Sequence, residues 1–182
     1  AMNDHALLAD LGVRDATAWQ HLAQRWREIL REQKVHLAAP SQSVMNLLCR
    51  LDDNWTDTDI QVIPHGLPAF AKALPVVPKE RPDGRLRLVI PGSMQQGKGQ
   101  ALLLRALPEL TKIAQIYLLG TGKEGEAFFG HSGVNIILKY QREELPAILR
   151  DIGPHLAALL SVVPETFSYT LSEMRQLNIP VL

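Results

Sequence analysis

The sequence predicts an α/β protein built on a Rossmann-like, doubly wound parallel sheet. Two observations in the second half of the chain carry that prediction. Short apolar runs at 86–90, 115–119, 134–138 and 156–162 suit buried parallel strands, and segments of helical period at 98–110, 142–152 and 169–177 alternate with them. Strict alternation of this kind implies right-handed crossovers and a sheet wound in both directions. A third observation bounds the region: six of the twelve prolines fall between residues 64 and 91, a stretch without helical or alternating period until its end, which reads as a linker.

The earlier elements follow from the same patterns. Trp19, Leu22, Trp26, Ile29 and Leu30 recur at helical spacing behind Asp15, a candidate cap. The run 35–39 reads as a strand, and a second helix follows with Val44, Leu47, Leu48 and Leu51 on one face and Ser41 or Ser43 as its cap. Another short strand is expected at 60–63. In the second half, Pro108 is expected to end or kink its helix. The closing run Ile179-Pro180-Val181-Leu182 has the character of a buried strand without its covering helix, and the expectation is a fragment of a larger protein.

Composition narrows the function classes. The 182 residues carry nineteen Lys and Arg against nineteen Asp and Glu, so no net charge draws the chain to nucleic acid or an anionic membrane. Apolar residues at 46% and charged residues at 21% match a globular chain and exclude disorder, collagen-like repeats and coiled coil. The single Cys49 cannot form an internal disulfide, no run is long enough to span a bilayer, and the start lacks the signature of a signal peptide. A soluble protein of a reducing compartment is expected. The histidines lack metal-ligand spacing, and no G-x-S-x-G elbow occurs.

Three loops carry the candidate chemistry. Gly92-Ser93-Met94-Gln95-Gln96-Gly97-Lys98-Gly99 has the G-x4-G-K spacing of a phosphate loop, but Gly99 stands where Ser or Thr would hold magnesium. A lysine at the positive end of a helix is unfavourable without an anion, and no acidic residue occurs in 84–108, so the missing anion is expected to be a ligand. The alternative is a solvated lysine on a turn. The second loop, Gly120-Thr121-Gly122-Lys123-Glu124-Gly125, matches G-x-G-x-x-G, yet 126–130 is too short for the helix of a dinucleotide fingerprint. A tight turn requiring positive φ explains it better. In the third, Pro164-Glu165-Thr166-Phe167-Ser168-Tyr169-Thr170-Leu171-Ser172-Glu173, two carboxylates lie eight positions apart across a loop and a first helical turn. They can accept hydrogen bonds from sugar hydroxyls; alternatively Glu173 forms a capping box with Thr170 and Glu165 answers the helix dipole.

Taken in this order the loops resemble the retaining glycosyltransferases of the GT-B fold, family 4. Ala39-Pro40-Ser41 and the IQVIPHG run at 60–66 look like the end of that family's N-terminal domain, residues 90–99 like its phosphate loop, and Glu165 to Glu173 like its E-x7-E motif. The string PETFSYTLSE with IPVL after it is close to modules of multidomain polysaccharide-assembly proteins. The resemblance implies an N-terminal remnant at 1–67, a linker at 68–85 and an incomplete donor-binding domain at 86–182. It implies a nucleotide-sugar donor such as a UDP- or GDP-sugar, no other cofactor and no metal. It further implies a glycan or lipid-linked glycan acceptor, the remainder of a larger chain as partner, and a place in polysaccharide or O-antigen biosynthesis at the cytoplasmic side of the membrane.

By that likeness Lys98 neutralises the departing diphosphate and Glu165, Thr166 and Phe167 contact the donor sugar. Glu173 binds the ribose, Tyr140 and Gln141 border the base, and Ser168 and Thr170 touch phosphate. Gly92, Ser93, Gly97 and Gly120 form the surrounding backbone. Many members carry arginine where this chain has Ser93, which leaves Lys98 as the main cation of the loop. The isolated fragment is expected to bind nucleotide and to transfer sugar poorly. The competing readings are a P-loop-like phosphohydrolase and a non-catalytic interaction domain.

Overall fold

The computed structural model describes residues 16–51, 55, 58–70 and 74–182, and the chain divides into two compact units, Ala1–His65 and Gly66–Leu182. In the first unit, helix α1 (Ala16–Glu32) precedes strand β1 (Leu37–Ala39), helix α2 (Gln42–Leu51) and strand β2 (Ile60–Val62). β1 and β2 pair in parallel, Leu37 opposite Ile60. Ser41 is the cap of α2: its Oγ accepts from the Val44 amide at 3.3 Å. The expected cap Asp15 lies outside the described residues, and the strand expected at 35–39 begins only at Leu37.

The second unit holds a parallel sheet of β3 (Leu86–Pro91), β4 (Ala114–Leu119), β5 (Val134–Ile137) and β6 (Leu156–Ala157), in the order β5-β4-β3-β6. Val181 bridges Ala157 in parallel on the far side of β6, as its apolar run suggested. Helix α3 (Gln100–Ile113) joins β3 to β4, α4 (Leu145–Ile152) joins β5 to β6, and α5 (Tyr169–Gln176) precedes Val181. Because successive side chains of a strand point to opposite faces, the apolar strands feed two cores. Leu88, Ile90, Ile116 and Leu118 pack with Leu103 and Leu107 of α3, while Val89, Leu119 and Ala157 pack with Leu145 and Leu149 of α4 and Met174 and Leu177 of α5. The chain winds from β3 to β4 and β5, then returns past β3 to β6. Right-handed crossovers in the two directions place their helices on opposite faces. Strand order therefore reverses between β3 and β6, and the carboxyl ends of those strands open a crevice.

Four elements depart from those expected, and three of the departures border that crevice. Gly99, at φ 82°, interrupts the helix expected over 98–110: Gln96–Lys98 make a 3₁₀ turn and α3 starts after the glycine. α3 then runs through Pro108 to Ile113, because the ring lies on the exposed side, where solvent can satisfy the carbonyl that loses its donor. The strand expected over 156–162 ends at Ala157, and further on the chain meets the first loop, where Val162 donates its amide to the Gly97 carbonyl at 3.1 Å. The helix expected over 142–152 opens as a 3₁₀ turn, Arg142–Glu144, capped reciprocally by Gln141 and Glu144. No described helix is long and apolar enough to cross a membrane.

Candidate functional site

The first loop leaves β3 at Gly92, whose φ of 107° only glycine adopts readily. Its backbone is tied to the second loop: Gly92 donates to the Leu119 carbonyl at 2.8 Å and Met94 to the Thr121 carbonyl at 3.2 Å. Met94 is buried and anchors the turn in the core below. The third loop closes over it from β6. At their junction a Cβ on Gly99 would overlap the backbone and Cβ of Leu160, so the close approach of the two loops requires glycine. That overlap also explains why no Ser or Thr stands at the position where a P-loop keeps its magnesium-binding hydroxyl.

Between these loops lies a cavity of about 150 Å³ whose lining includes Gly92, Ser93, Lys98, Glu165, Ser168 and Thr170. The Lys98 ammonium donates to Glu165 Oε1. The anion that the sequence left to a ligand is thus supplied by the chain itself, 67 residues away. The hydrogen bond from Lys98 holds the Glu165 carboxyl below its ordinary range, against the opposing effect of burial, and Ser161 and Ser168 assist. Ser168 caps α5, its Oγ accepting from the Leu171 amide at 3.2 Å, so the cap is Ser168 and not a Thr170–Glu173 box.

A second, more open cavity of about 460 Å³ lies at the ends of β4 and β5, and Gly92 borders both. Gly120, Tyr140, Gln141, Arg142 and Glu173 line it. The positive φ of Gly120 and Gly122, 72° and 67°, matches the turn expected of the second loop. The Tyr140 ring packs so closely on Gly120 that a Cβ there would lie 2.9 Å from it. Burial, and then the Glu173 carboxylate, push the Tyr140 phenol upward, so it stays a neutral donor. The Gln141 side chain is engaged in capping the turn Arg142–Glu144.

Arg142 is the residue that sequence reasoning missed. Its Nε donates to Glu173 Oε1 at 2.7 Å, its Nη2 to the Pro68 carbonyl at 2.7 Å, and its guanidinium lies over the Phe70 ring at 4.2 Å. The only signal for it was indirect: Ser93 left the first loop short of a second cation. The lining of neither cavity includes Gly97, Thr166 or Phe167. Gly97 holds Val162 through its carbonyl, and Phe167 packs edge-to-face on Tyr169 at 5.1 Å.

The arrangement offers two acid–base pairs joined by one glycine at the switch point of a doubly wound sheet, a place where such sheets bind ligands. No family model and no curated protein matches the chain. Among solved structures it is similar to the pneumococcal O-GlcNAc transferase GtfA, solved in complex with UDP and GlcNAc, with a TM-score of 0.55 and 16% identity. The likeness covers 83% of this chain but only 30% of GtfA, so the chain spans less than a third of that enzyme's length. What such a likeness establishes is the architecture: a Rossmann-like fold similar to that of a GT-B glycosyltransferase.

Proposed function

We propose that the second unit is the donor-binding part of a retaining glycosyltransferase. It takes a nucleotide-sugar whose diphosphate lies along the first loop, whose sugar faces Glu165 and whose ribose faces Glu173. The observation that supports this most is the position of Gly92, which borders both cavities and so links an ammonium–carboxylate pair to a guanidinium–carboxylate pair. A diphosphate lying along Gly92 and Ser93 would meet Lys98 on one side, with a ribose in the larger cavity on the other. GtfA, solved with UDP and GlcNAc, supplies a precedent for this kind of ligand on this fold.

The chemistry follows from charge. As the bond between sugar and diphosphate breaks, negative charge grows on the phosphate oxygens, and a fixed ammonium there can be worth about 3 kcal/mol of transition-state stabilisation. Lys98 is that group in this reading, and the N-terminal amides of α5 add to it. Glu165, released from Lys98 by the arriving phosphate, accepts hydroxyls of the sugar. The acceptor is a glycan or lipid-linked glycan, and the setting is cytoplasmic polysaccharide assembly within a larger chain. A magnesium-dependent phosphohydrolase fits less well, because the crowding at Gly99 leaves no room for the hydroxyl it needs.

Calorimetric titration with UDP, GDP and their sugars tests the assignment. Binding is expected, and Lys98→Ala and Glu173→Ala should each weaken it by about tenfold or more, the cost of losing a hydrogen bond to a charged group. Unchanged affinity in both variants would remove the site.

A further inference from the structure

We propose that Arg142 is the positioning residue of the larger cavity: it fixes the Glu173 carboxylate in the orientation that accepts the two hydroxyls of a ribose. The inference rests on the donor-binding reading above. It goes further in assigning to one arginine the discrimination between ribose and its deoxygenated forms.

The geometry around Arg142 is over-determined. Nε reaches Glu173 and Nη2 reaches the Pro68 carbonyl, both at 2.7 Å, while the flat face of the group rests on Phe70. A planar guanidinium held at two edges and one face has little freedom left, and an ammonium could not satisfy the same three partners. Phe70 is itself tied to α5, its amide donating to Gln176 Oε1 at 3.3 Å. The clamp therefore joins three elements: residues 68–70, the turn after β5, and α5. Glu173 stands on α5 between Leu171 and Met174, and the complete burial of Met174 and Leu177 holds that helix against the sheet.

Two consequences follow for Glu173. Its side chain is only 12% exposed, and Arg142 occupies Oε1, which leaves Oε2, with two lone pairs, as the acceptor for both hydroxyls of a ribose in the cavity. The clamp also fixes the direction in which the free oxygen faces, and removing the arginine frees the carboxylate to rotate.

The test is a set of titrations on the full chain with UDP and GDP, with their 2′,3′-dideoxy forms, and with inorganic pyrophosphate. The wild type should prefer the ribose forms by about tenfold, as expected for hydroxyls donating to a charged acceptor. In Arg142→Ala that preference should fall to about twofold or less, with pyrophosphate affinity nearly unchanged, because Lys98 is untouched; Arg142→Lys should restore only part of it. Phe70→Ala, which leaves both ionic partners in place, should give an intermediate preference. A merely structural arginine would instead lower affinity for all ligands alike, and that result overturns the proposal, as does an undiminished preference in Arg142→Ala. If the wild type binds nucleotides without preferring ribose, the role of Arg142 falls while diphosphate binding stands. If it binds neither nucleotide nor pyrophosphate, the donor-binding reading falls with it.

Discussion

The two acid–base pairs beside Gly92 differ in how firmly they are held. Lys98 and Glu165 reach each other from two loops, with side chains 40% and 27% exposed, and among the described residues the lysine ammonium donates to no other group. Arg142 and Glu173 are 31% and 12% exposed, and the arginine has a carbonyl and an aromatic ring as additional anchors. An exposed pair of long side chains contributes little to stability, about 0 to 1 kcal/mol, and is easily exchanged for another partner. The anchored pair behaves as part of the scaffold. Under the donor-binding function proposed above, one cavity gives up its internal anion to the ligand, and the other keeps its internal cation.

The largest expected effect comes from breaking the loop junction that the first pair depends on. Gly99→Val places a branched side chain at φ 82°, against the backbone of Leu160. Left-handed backbone in a residue with a Cβ costs about 1 to 2 kcal/mol and overpacking about 1 to 3 kcal/mol more, so urea unfolding should show a loss of roughly 2 to 5 kcal/mol. Pyrophosphate binding should disappear with it, since the loop carrying Lys98 can no longer dock on the loop carrying Glu165. A variant of undiminished stability would show that the two loops do not need this close approach.

The same junction shows what could be read from residues alone and what could not. Lys98 beside glycines, and two glutamates eight apart, are local patterns, and the strands that position them are apolar runs of recognisable length. The pairing of Lys98 with Glu165 was not legible, because it spans 67 residues and depends on β6 lying next to β3. The pairing of Arg142 with Glu173 was hidden for the same reason. It needs the end of β5 and the first turns of α5 to face one another across the sheet, a fact of topology that no spacing encodes. Local rules also competed with each other. Thr170 and Glu173 satisfy a capping-box pattern, but Ser168 caps the helix and Glu173 is drawn to the guanidinium. Gly99 could be noticed as a departure from a phosphate-loop pattern, while its cause, the backbone of Leu160, lies 61 positions further along the chain.

A smaller effect, of opposite sign to the usual outcome of mutating a site, sharpens the contrast between the pairs. In the free protein Glu165 occupies the ammonium that a phosphate would use, so phosphate binding must first displace it. Glu165→Gln removes that competition and should tighten pyrophosphate and UDP binding by up to about fivefold, the equivalent of a partly exposed ion pair. Glu173→Gln has no such competitor to remove and should leave pyrophosphate affinity unchanged. Equal responses of the two variants would mean that the pairs are not distinct in kind.

The smallest effect is on the acid side of the stability curve, and its sign follows from the Lys98 hydrogen bond. The bond holds the Glu165 carboxyl below its ordinary value of 4.5, so the folded state favours the ionised form more than the unfolded chain does. The resulting stabilisation is fully present above pH 4.5 and is lost as pH falls through the lower folded value. His155 acts over a higher range: burial, and then Arg81 and Arg87, hold its imidazole below 6.5, and its Nδ1 accepts from the Arg87 amide, so stability also declines as pH falls below 6.5. Comparing wild type with Glu165→Gln at each pH cancels the histidine. The difference should be below about 1 kcal/mol at neutral pH, shrink with added salt because both partners are partly exposed, and vanish at low pH. A difference that persists unchanged below pH 3 would place the contribution of Glu165 in packing or uncharged hydrogen bonds, and the first pair would then be as fixed as the second.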